Sequence, residues 1–194
     1  MRSDALHIFL LMIVGFSVCQ SCLHMREPKE FSINEKVNKL IGTQFEEFRL
    51  IDTSGKNVTI NYKNFDYTIV DFWFSECPPC LKEMKQFSEL LRKAKSNIQI
   101  VSISINNYQL WKGLFSTNHT AYSFLSEANT NWRHYTLRSD EDPNLKNDIP
   151  GDNYNVIQSR YNTHDYPLYL VLNEEGKIIT TPRSAVEYLE FLSN

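Results

Sequence analysis

The chain has 194 residues, 42% of them hydrophobic, which is enough for one substantial core and too few for two independent domains. Its formal net charge is -3, with acidic and basic residues mixed along the chain, so we expect no basic surface for nucleic acid. Six Gly, seven Pro and 13% aromatic residues are typical of a folded protein and exclude the disordered and fibrous classes.

The N-terminal residues have the plan of an export signal. Arg2 precedes an apolar run from Ala5 to Val18, which is shorter than the roughly 20 residues that a membrane-spanning helix needs. Cys22 follows a small residue and is similar to the lipidated cysteine of a bacterial lipoprotein signal. We therefore expect a lipoprotein-type signal peptide over residues 1–22, with Cys22 lipidated, and a charged tether over residues 23–38. An uncleaved anchor, a buried helix and simple secretion are the alternatives.

The domain, which we place at residues 39–194, opens with a predicted hairpin and a buried strand. Two short β-type runs, Glu47 to Ile51 and Asn57 to Asn61, flank a turn that contains Gly55. Tyr67 to Phe74 is a nearly continuous apolar run of strand length. This run predicts a central strand that is buried on both faces.

A helix and a second strand follow. Apolar residues recur every three or four positions from Leu81 to Ala94, with charged residues between them, which predicts an amphipathic helix. Ile98 to Ile105 predicts another buried strand. Strand, helix and strand in this order imply parallel pairing in a sheet that helices cover.

The pattern is weaker between Asn106 and Asn153, although it still predicts a strand there. That strand is predicted at Trp132 to Leu137, and a helix at Tyr154 to Tyr161. A hairpin follows, with strands at Leu168 to Leu172 and Lys177 to Thr180, and the chain closes with a helix whose N-cap is Ser184.

Two cysteines stand at a junction of strand and helix. The sequence C-P-P-C from Cys77 to Cys80 places Cys77 at the helix N-terminus, where backbone N–H groups and the macrodipole are expected to lower the thiol pKa. The thiolate is the attacking species in disulfide exchange, and the spacing lets Cys80 reach a mixed disulfide on Cys77. A zinc site that also uses Cys19 and Cys22 is disfavoured, because these two adjoin the export segment.

The segment Val70 to Trp73, V-D-F-W, followed after three residues by C-P-P-C, resembles the active-site segment of the thioredoxin superfamily. From Ile41 to Cys80 the chain is similar to the periplasmic TlpA/ResA-type branch. The resemblance covers most residues after about Asn38, and residues 106–153 match it only in their layout. It implies an α/β, thioredoxin-like fold in which helices flank a central mixed sheet with an N-terminal β-hairpin.

The resemblance also implies roles for individual residues. Cys77 is the nucleophile and Cys80 the resolving cysteine. Asp71 matches the buried acid that helps to deprotonate the resolving cysteine, with a pKa raised by burial; the alternative is a strand-end carboxylate that solvent satisfies. Tyr166-Pro167 matches a cis-proline whose preceding residue offers backbone hydrogen bonds to a substrate peptide.

Two further residues are assigned to the substrate-binding surface. Trp73 matches the family's packing aromatic residue beneath the active site. Glu76 precedes Cys77 at a position where many relatives carry a neutral residue, and its carboxylate would tend to raise the pKa of Cys77. Glu76 departs from the family's pattern, and we expect it to influence the choice of substrate.

The leading hypothesis is an enzyme of the bacterial cell envelope, lipid-anchored and periplasm-facing, that exchanges disulfides with protein substrates. The resemblance favours a reductase, with a membrane electron donor as a candidate partner. The redox-active Cys77–Cys80 disulfide is the only redox group expected, with no other cofactor and no metal. A thiol peroxidase is disfavoured because Phe74, rather than Thr, stands three residues before Cys77. A redox-inactive, lipid-anchored binding module is the third hypothesis.

Overall fold

The computed structural model describes residues 30–116, 120–126, 131–137 and 152–193. The predicted signal peptide, the predicted lipidation site Cys22 and residues 23–29 of the predicted tether lie outside these ranges.

The described strands form one mixed sheet. They are β1 Leu50–Ile51, β2 Asn57–Val58, β3 Tyr67–Trp73, β4 Ile98–Ser104, β5 Trp132–Leu137, β6 Leu168–Leu172 and β7 Ile178–Thr180. Their order across the sheet is β2-β1-β5-β4-β3-β6-β7. The β3–β4 and β4–β5 pairs are parallel, and the other neighbours are antiparallel. The predicted hairpin is present with shorter strands, and it extends the sheet beyond β5.

Helices cover both faces of this sheet. They are α1 Pro78–Lys93, α2 Tyr108–Gly113, α3 Asp152–Tyr161 and α4 Ala185–Leu192, with 3-10 turns at Asn38–Leu40 and Thr120–Ser126. Residues of α1, α2 and α4 share a core cluster with one face, and residues of α3 share a second cluster with the other face. The predicted thioredoxin-like α/β class is confirmed. None of the helices in the described ranges is long and apolar enough to cross a membrane.

Strand β3 is buried on both faces, as its apolar run predicts. Ile69 and Trp73 belong to the cluster beneath α1 and α4, whereas Val70 and Phe72 belong to the cluster beneath α3. Side chains alternate between the faces of a strand, so Asp71 points to the same side as Ile69 and Trp73. The fold therefore places this carboxyl group beneath the helix that carries the cysteines.

The domain begins before residue 39, so the prediction of a tether over residues 23–38 is corrected for its described part. Phe31 contacts Tyr188 and Phe191 edge to face, with ring centroids 4.8 and 5.1 Å apart. The N–H of Asn34 donates a hydrogen bond to the carbonyl oxygen of Thr181, 2.7 Å away. The segment therefore pairs with residues 181–183, directly after β7, whose backbone groups would otherwise face solvent.

Candidate active site

The two cysteines lie at the first turn of α1. Cys77 is the N-cap residue, and its Sγ accepts a hydrogen bond from the backbone N–H of Cys80 at 3.3 Å. A disulfide joins the two residues, whose Cα atoms are 5.3 Å apart. Cys77 is 3% exposed and Cys80 is fully buried. The sulfur that an incoming group reaches first is therefore that of Cys77, in keeping with its predicted role as the nucleophile.

A hydrogen-bond network fixes the loop before Cys77. The N–H of Ser75 donates to Oδ1 of Asn106 at 2.9 Å, and the Ser75 hydroxyl donates to the Glu76 carboxylate at 2.6 Å. The Tyr122 hydroxyl donates to the carbonyl oxygen of Ser75 at 3.1 Å. Asn106 and Tyr122 belong to the tract, residues 106–153, that matches the family only in its layout, and these two residues support the active-site loop.

Asp71 is fully buried beneath α1. Burial raises the pKa of Asp71 to about 7; a hydrogen bond from the Ser102 hydroxyl opposes this rise, and the charge of Glu83 adds to it. The Ser102 Oγ donates to Oδ2 of Asp71 at 2.8 Å, while Oδ1 has no partner among the described residues. This carboxyl group can therefore gain or lose a proton near neutral pH, as a general base for a thiol requires.

Glu83 belongs to the site although its charge on an amphipathic helix predicts an exposed residue. Its Oε2 accepts hydrogen bonds from the N–H groups of Ala185, at 2.9 Å, and Val186, at 3.3 Å. Glu83 thereby caps the N-terminus of α4 and joins it to α1. Nothing local in the sequence marks this contact, because the partners are about 100 residues apart.

The Tyr166–Pro167 peptide bond is cis, as predicted. The Tyr166 ring packs against Phe74 and Tyr154, with centroid distances of 5.5 and 5.6 Å. The next residue, Leu168, begins β6 and pairs with Phe72 of β3, so the cis-proline lies beside the segment that leads to Cys77. The predicted contact of Tyr166 and Pro167 with a substrate peptide stays a prediction.

The prediction that Trp73 packs beneath the active site is confirmed, and its assignment to the substrate-binding surface is corrected. Trp73 is fully buried, in the same core cluster as Cys77 and Cys80. A side chain without exposed surface cannot contact a substrate, so Trp73 packs beneath the disulfide. Glu76 is exposed beside Cys77 and keeps its predicted place at the surface.

A disulfide at a helix N-terminus, a buried carboxyl group beneath it and a cis-proline beside it lie on a thioredoxin-like sheet. They define the class as a thioredoxin-like thiol-disulfide oxidoreductase. Residues 41–181, most of the chain, match the AhpC/TSA family, and the chain belongs to that family. A comparison with curated proteins gives no match.

The chain is similar in fold to solved structures of thioredoxin-like and thiol-disulfide exchange proteins. A thiol:disulfide interchange protein from Bacteroides sp. is 20% identical, with 77% of this chain and 85% of that chain covered and a TM-score of 0.55. The thioredoxin domain of a thiol-disulfide oxidoreductase from Bacteroides vulgatus is 19% identical, with 77% and 92% covered and a TM-score of 0.52. A thioredoxin-like protein from Bacteroides caccae is 17% identical, with 78% and 48% covered and a TM-score of 0.52. At these identities the similarity establishes the fold.

Proposed function

We propose that the protein is a disulfide reductase of the bacterial cell envelope that acts on protein substrates. The observation that carries the proposal is the Cys77–Cys80 disulfide at the N-terminus of α1, above the fully buried Asp71. The names of the structural relatives, a thiol:disulfide interchange protein and a thiol-disulfide oxidoreductase, support the same chemistry.

In the first step, the reduced enzyme attacks a disulfide of the substrate. The Cys77 thiolate forms a bond to one substrate sulfur, and the other substrate sulfur leaves as a thiolate. The N–H of Cys80, which lies 3.3 Å from the Cys77 Sγ, and the macrodipole of α1 favour the negative charge on Cys77 before the attack.

In the second step, Cys80 resolves the mixed disulfide. Asp71 accepts the proton of the Cys80 thiol, and the resulting thiolate attacks the sulfur of Cys77. The Cys77–Cys80 bond forms while the bond to the substrate breaks, so two electrons pass to the substrate, which leaves as a dithiol after protonation. The oxidised enzyme then needs a dithiol donor, for which a membrane electron donor is our candidate.

Substrate contacts are proposed for the surface beside Cys77. The backbone of Tyr166, next to the cis-proline Pro167, would pair with an extended substrate peptide. The exposed Glu76 lies next to the nucleophile, where it would disfavour acidic substrate segments through like-charge repulsion.

Export and lipidation complete the proposal. The apolar run from Ala5 to Val18 and the following Cys22 support a lipid anchor on the envelope side of the membrane.

The proposal is tested by measuring insulin reduction and peroxide consumption with a dithiol donor. We expect insulin reduction that Cys77→Ser abolishes. Faster turnover of hydrogen peroxide would instead indicate a thiol peroxidase, and the absence of both activities would indicate a binding module. The direction of electron flow is tested by equilibrating the Cys77–Cys80 pair with glutathione, which gives its reduction potential. A potential of about -270 mV supports a reductase, and one of about -120 mV supports an oxidase.

A further inference from the structure

Four polar side chains form a row across the face of the sheet that α1 covers. Tyr169 of β6 lies opposite Asp71 of β3, Asp71 lies opposite Ser102 of β4, and Ser102 lies opposite His134 of β5. Directly paired residues project to the same face of a sheet. The row therefore links the predicted base to a strand from the tract between Asn106 and Asn153.

Ser102 is hydrogen-bonded on both sides. It is fully buried, and its Oγ accepts a hydrogen bond from Nε1 of Trp132 at 2.9 Å while it donates to Oδ2 of Asp71 at 2.8 Å. An indole N–H is only a donor, and a serine hydroxyl has a single hydrogen. The Ser102 oxygen therefore accepts the hydrogen bond from Trp132, and the Ser102 hydrogen is donated to Asp71.

We propose that Ser102, held by Trp132, is a positioning residue that stabilises the ionised form of Asp71 and so sets the pH range in which Cys80 resolves the mixed disulfide. The kinetic part of this inference rests on the proposed function.

The other groups around Asp71 do not stabilise its charge. Glu83 of α1 is itself negative and raises the pKa of Asp71. Burial, with the charges of Asp71 and Glu83, raises the pKa of Tyr169 well above its ordinary value, so this phenol is neutral; its hydroxyl donates no hydrogen bond to Asp71 in the described structure. Beyond Ser102, burial lowers the pKa of His134 to about 3, so this ring is neutral as well.

Cys80, in the disulfide, carries no charge. Among the described residues, Ser102 is the one side chain that donates a hydrogen bond to Asp71. Loss of this donor should therefore favour the protonated acid.

Packing holds the indole of Trp132 in place. Trp132 is 4% exposed, and its ring lies 5.5 Å from Phe87 of α1, 6.4 Å from Phe124 and 4.5 Å from His134 between centroids. The ring cannot turn away from Ser102 without disturbing these contacts, so the donor direction is built into the core.

The first test is an NMR titration of the oxidised protein, which follows the carboxyl carbon of Asp71 and the indole N–H of Trp132. In the wild type we expect both signals to report one midpoint near 7. Ser102→Ala should raise the Asp71 midpoint by about one pH unit or more, because a hydrogen bond to a charged group is lost. The Trp132 signal should then no longer follow Asp71. An unchanged Asp71 midpoint would overturn the inference.

Two variants and one signal serve as controls. Thr68→Val removes another buried hydroxyl between β3 and β4, which accepts a hydrogen bond from Gln99 at 2.8 Å. Because Thr68 lies on the opposite face, its loss should reduce stability and leave the Asp71 midpoint unchanged. Trp132→Phe keeps a ring but removes the N–H, and should give an intermediate midpoint; a wild-type value would refute the role of Trp132. Trp111, whose Nε1 has no described partner, is the internal reference.

Kinetics separate this inference from the proposed function. In Ser102→Ala, decay of a Cys77 mixed disulfide should slow by up to about tenfold at pH 7 and recover at pH 9, since one pH unit is a factor of ten in ionisation. If the wild type exchanges no disulfides, the proposed function fails and the NMR midpoints still decide the role of Ser102. If the wild type exchanges disulfides and the pH profile of Ser102→Ala is unmoved, only the inference fails.

Discussion

At Asp71, desolvation and hydrogen bonding act in opposite directions on one carboxyl group. The pKa of Asp71 in the folded protein is about 7, whereas an unfolded aspartate titrates near about 3.9. Between these values the folded state holds a proton that the unfolded state has lost. The stability that the neutral acid contributes is therefore fully present below about pH 4 and is lost as the pH rises through about 7.

Asp71→Asn should separate stability from catalysis. The amide has the shape of the neutral acid and carries no charge, so the free energy of unfolding at pH 8 should exceed that of the wild type by on the order of a few kcal/mol, with little difference at pH 4. Urea unfolding at the two pH values measures this. Decay of a Cys77 mixed disulfide should slow in the variant, and unchanged decay across neutral pH would refute the assignment of Asp71 as the base.

The roles of the two cysteines are tested by trapping. Cys80→Ser cannot resolve the mixed disulfide, so adducts with substrate proteins should accumulate through Cys77 and disappear on treatment with dithiothreitol. Non-reducing electrophoresis and mass spectrometry identify them. Cys77→Ser is the matched control and should trap little, because Cys80 is fully buried. Equal trapping by both variants would remove the assignment, and greater trapping by Cys77→Ser would reverse it.

Among the elements, α1 connects the chemistry to the fold. Its first turn carries Cys77, its inner face covers Asp71, and Glu83 on its second turn caps α4. A movement of this helix would change all three contacts together, so the packing of α1 against the sheet preserves the geometry of the site.

We expect residues 30–38, which precede the predicted domain boundary, to contribute to the free energy of unfolding. Phe31→Ala removes the contacts with Tyr188 and Phe191, and we expect a loss of about 1–3 kcal/mol in the free energy of unfolding, measured in urea. Leu110→Ala is the control, because Leu110 is 44% exposed and should cost far less. If Phe31→Ala were as mild as this control, residues 30–38 would act as the tether that the composition suggests.

On the scale of the whole molecule, two core clusters pack on opposite faces of the sheet, and Cys77 and Cys80 belong to the cluster beneath α1. The strand order places β3 between β4 and β6, so its neighbours supply Ser102 on one side and Tyr169 on the other. The site depends on contacts between residues that are far apart in sequence. A change in the pairing of β3 with β4 or β6 would therefore also change the contacts of Asp71.

The predicted lipidation at Cys22 is tested by expressing the full-length chain in a bacterial host. We expect the wild type in the membrane fraction, with mass spectrometry showing a lipid-modified N-terminus at Cys22. Cys22→Ala should lose this modification and leave that fraction unless the apolar run stays as an anchor. A soluble wild-type form that begins at another residue would replace lipidation with simple secretion.

Local patterns in the sequence were sufficient to predict most elements and the position of the disulfide. The apolar run of β3, the helical spacing after Cys80 and the turn residues of the hairpin each reflect short-range geometry. The C-P-P-C sequence between strand and helix predicted Cys77 at the start of α1, and a single carboxyl group in an apolar strand singled out Asp71.

Tertiary structure decided what these residues contact. The capping of α4 by Glu83 and the packing of Phe31 against α4 both join segments that are remote in sequence, and amphipathic patterns do not specify which partner an element meets. The same holds for Ser102 and Trp132, which the sequence shows only as strand residues. Local spacing in the sequence predicted a dithiol at a junction of strand and helix and an α/β class. The thioredoxin-like fold and the separate roles of Cys77 and Cys80 came from the family resemblance. The hydrogen bonds around Asp71 were decided by the tertiary structure. The register of β3, β4 and β5 brings Asp71, Ser102 and Trp132 into hydrogen-bond range, and no local pattern specifies that register.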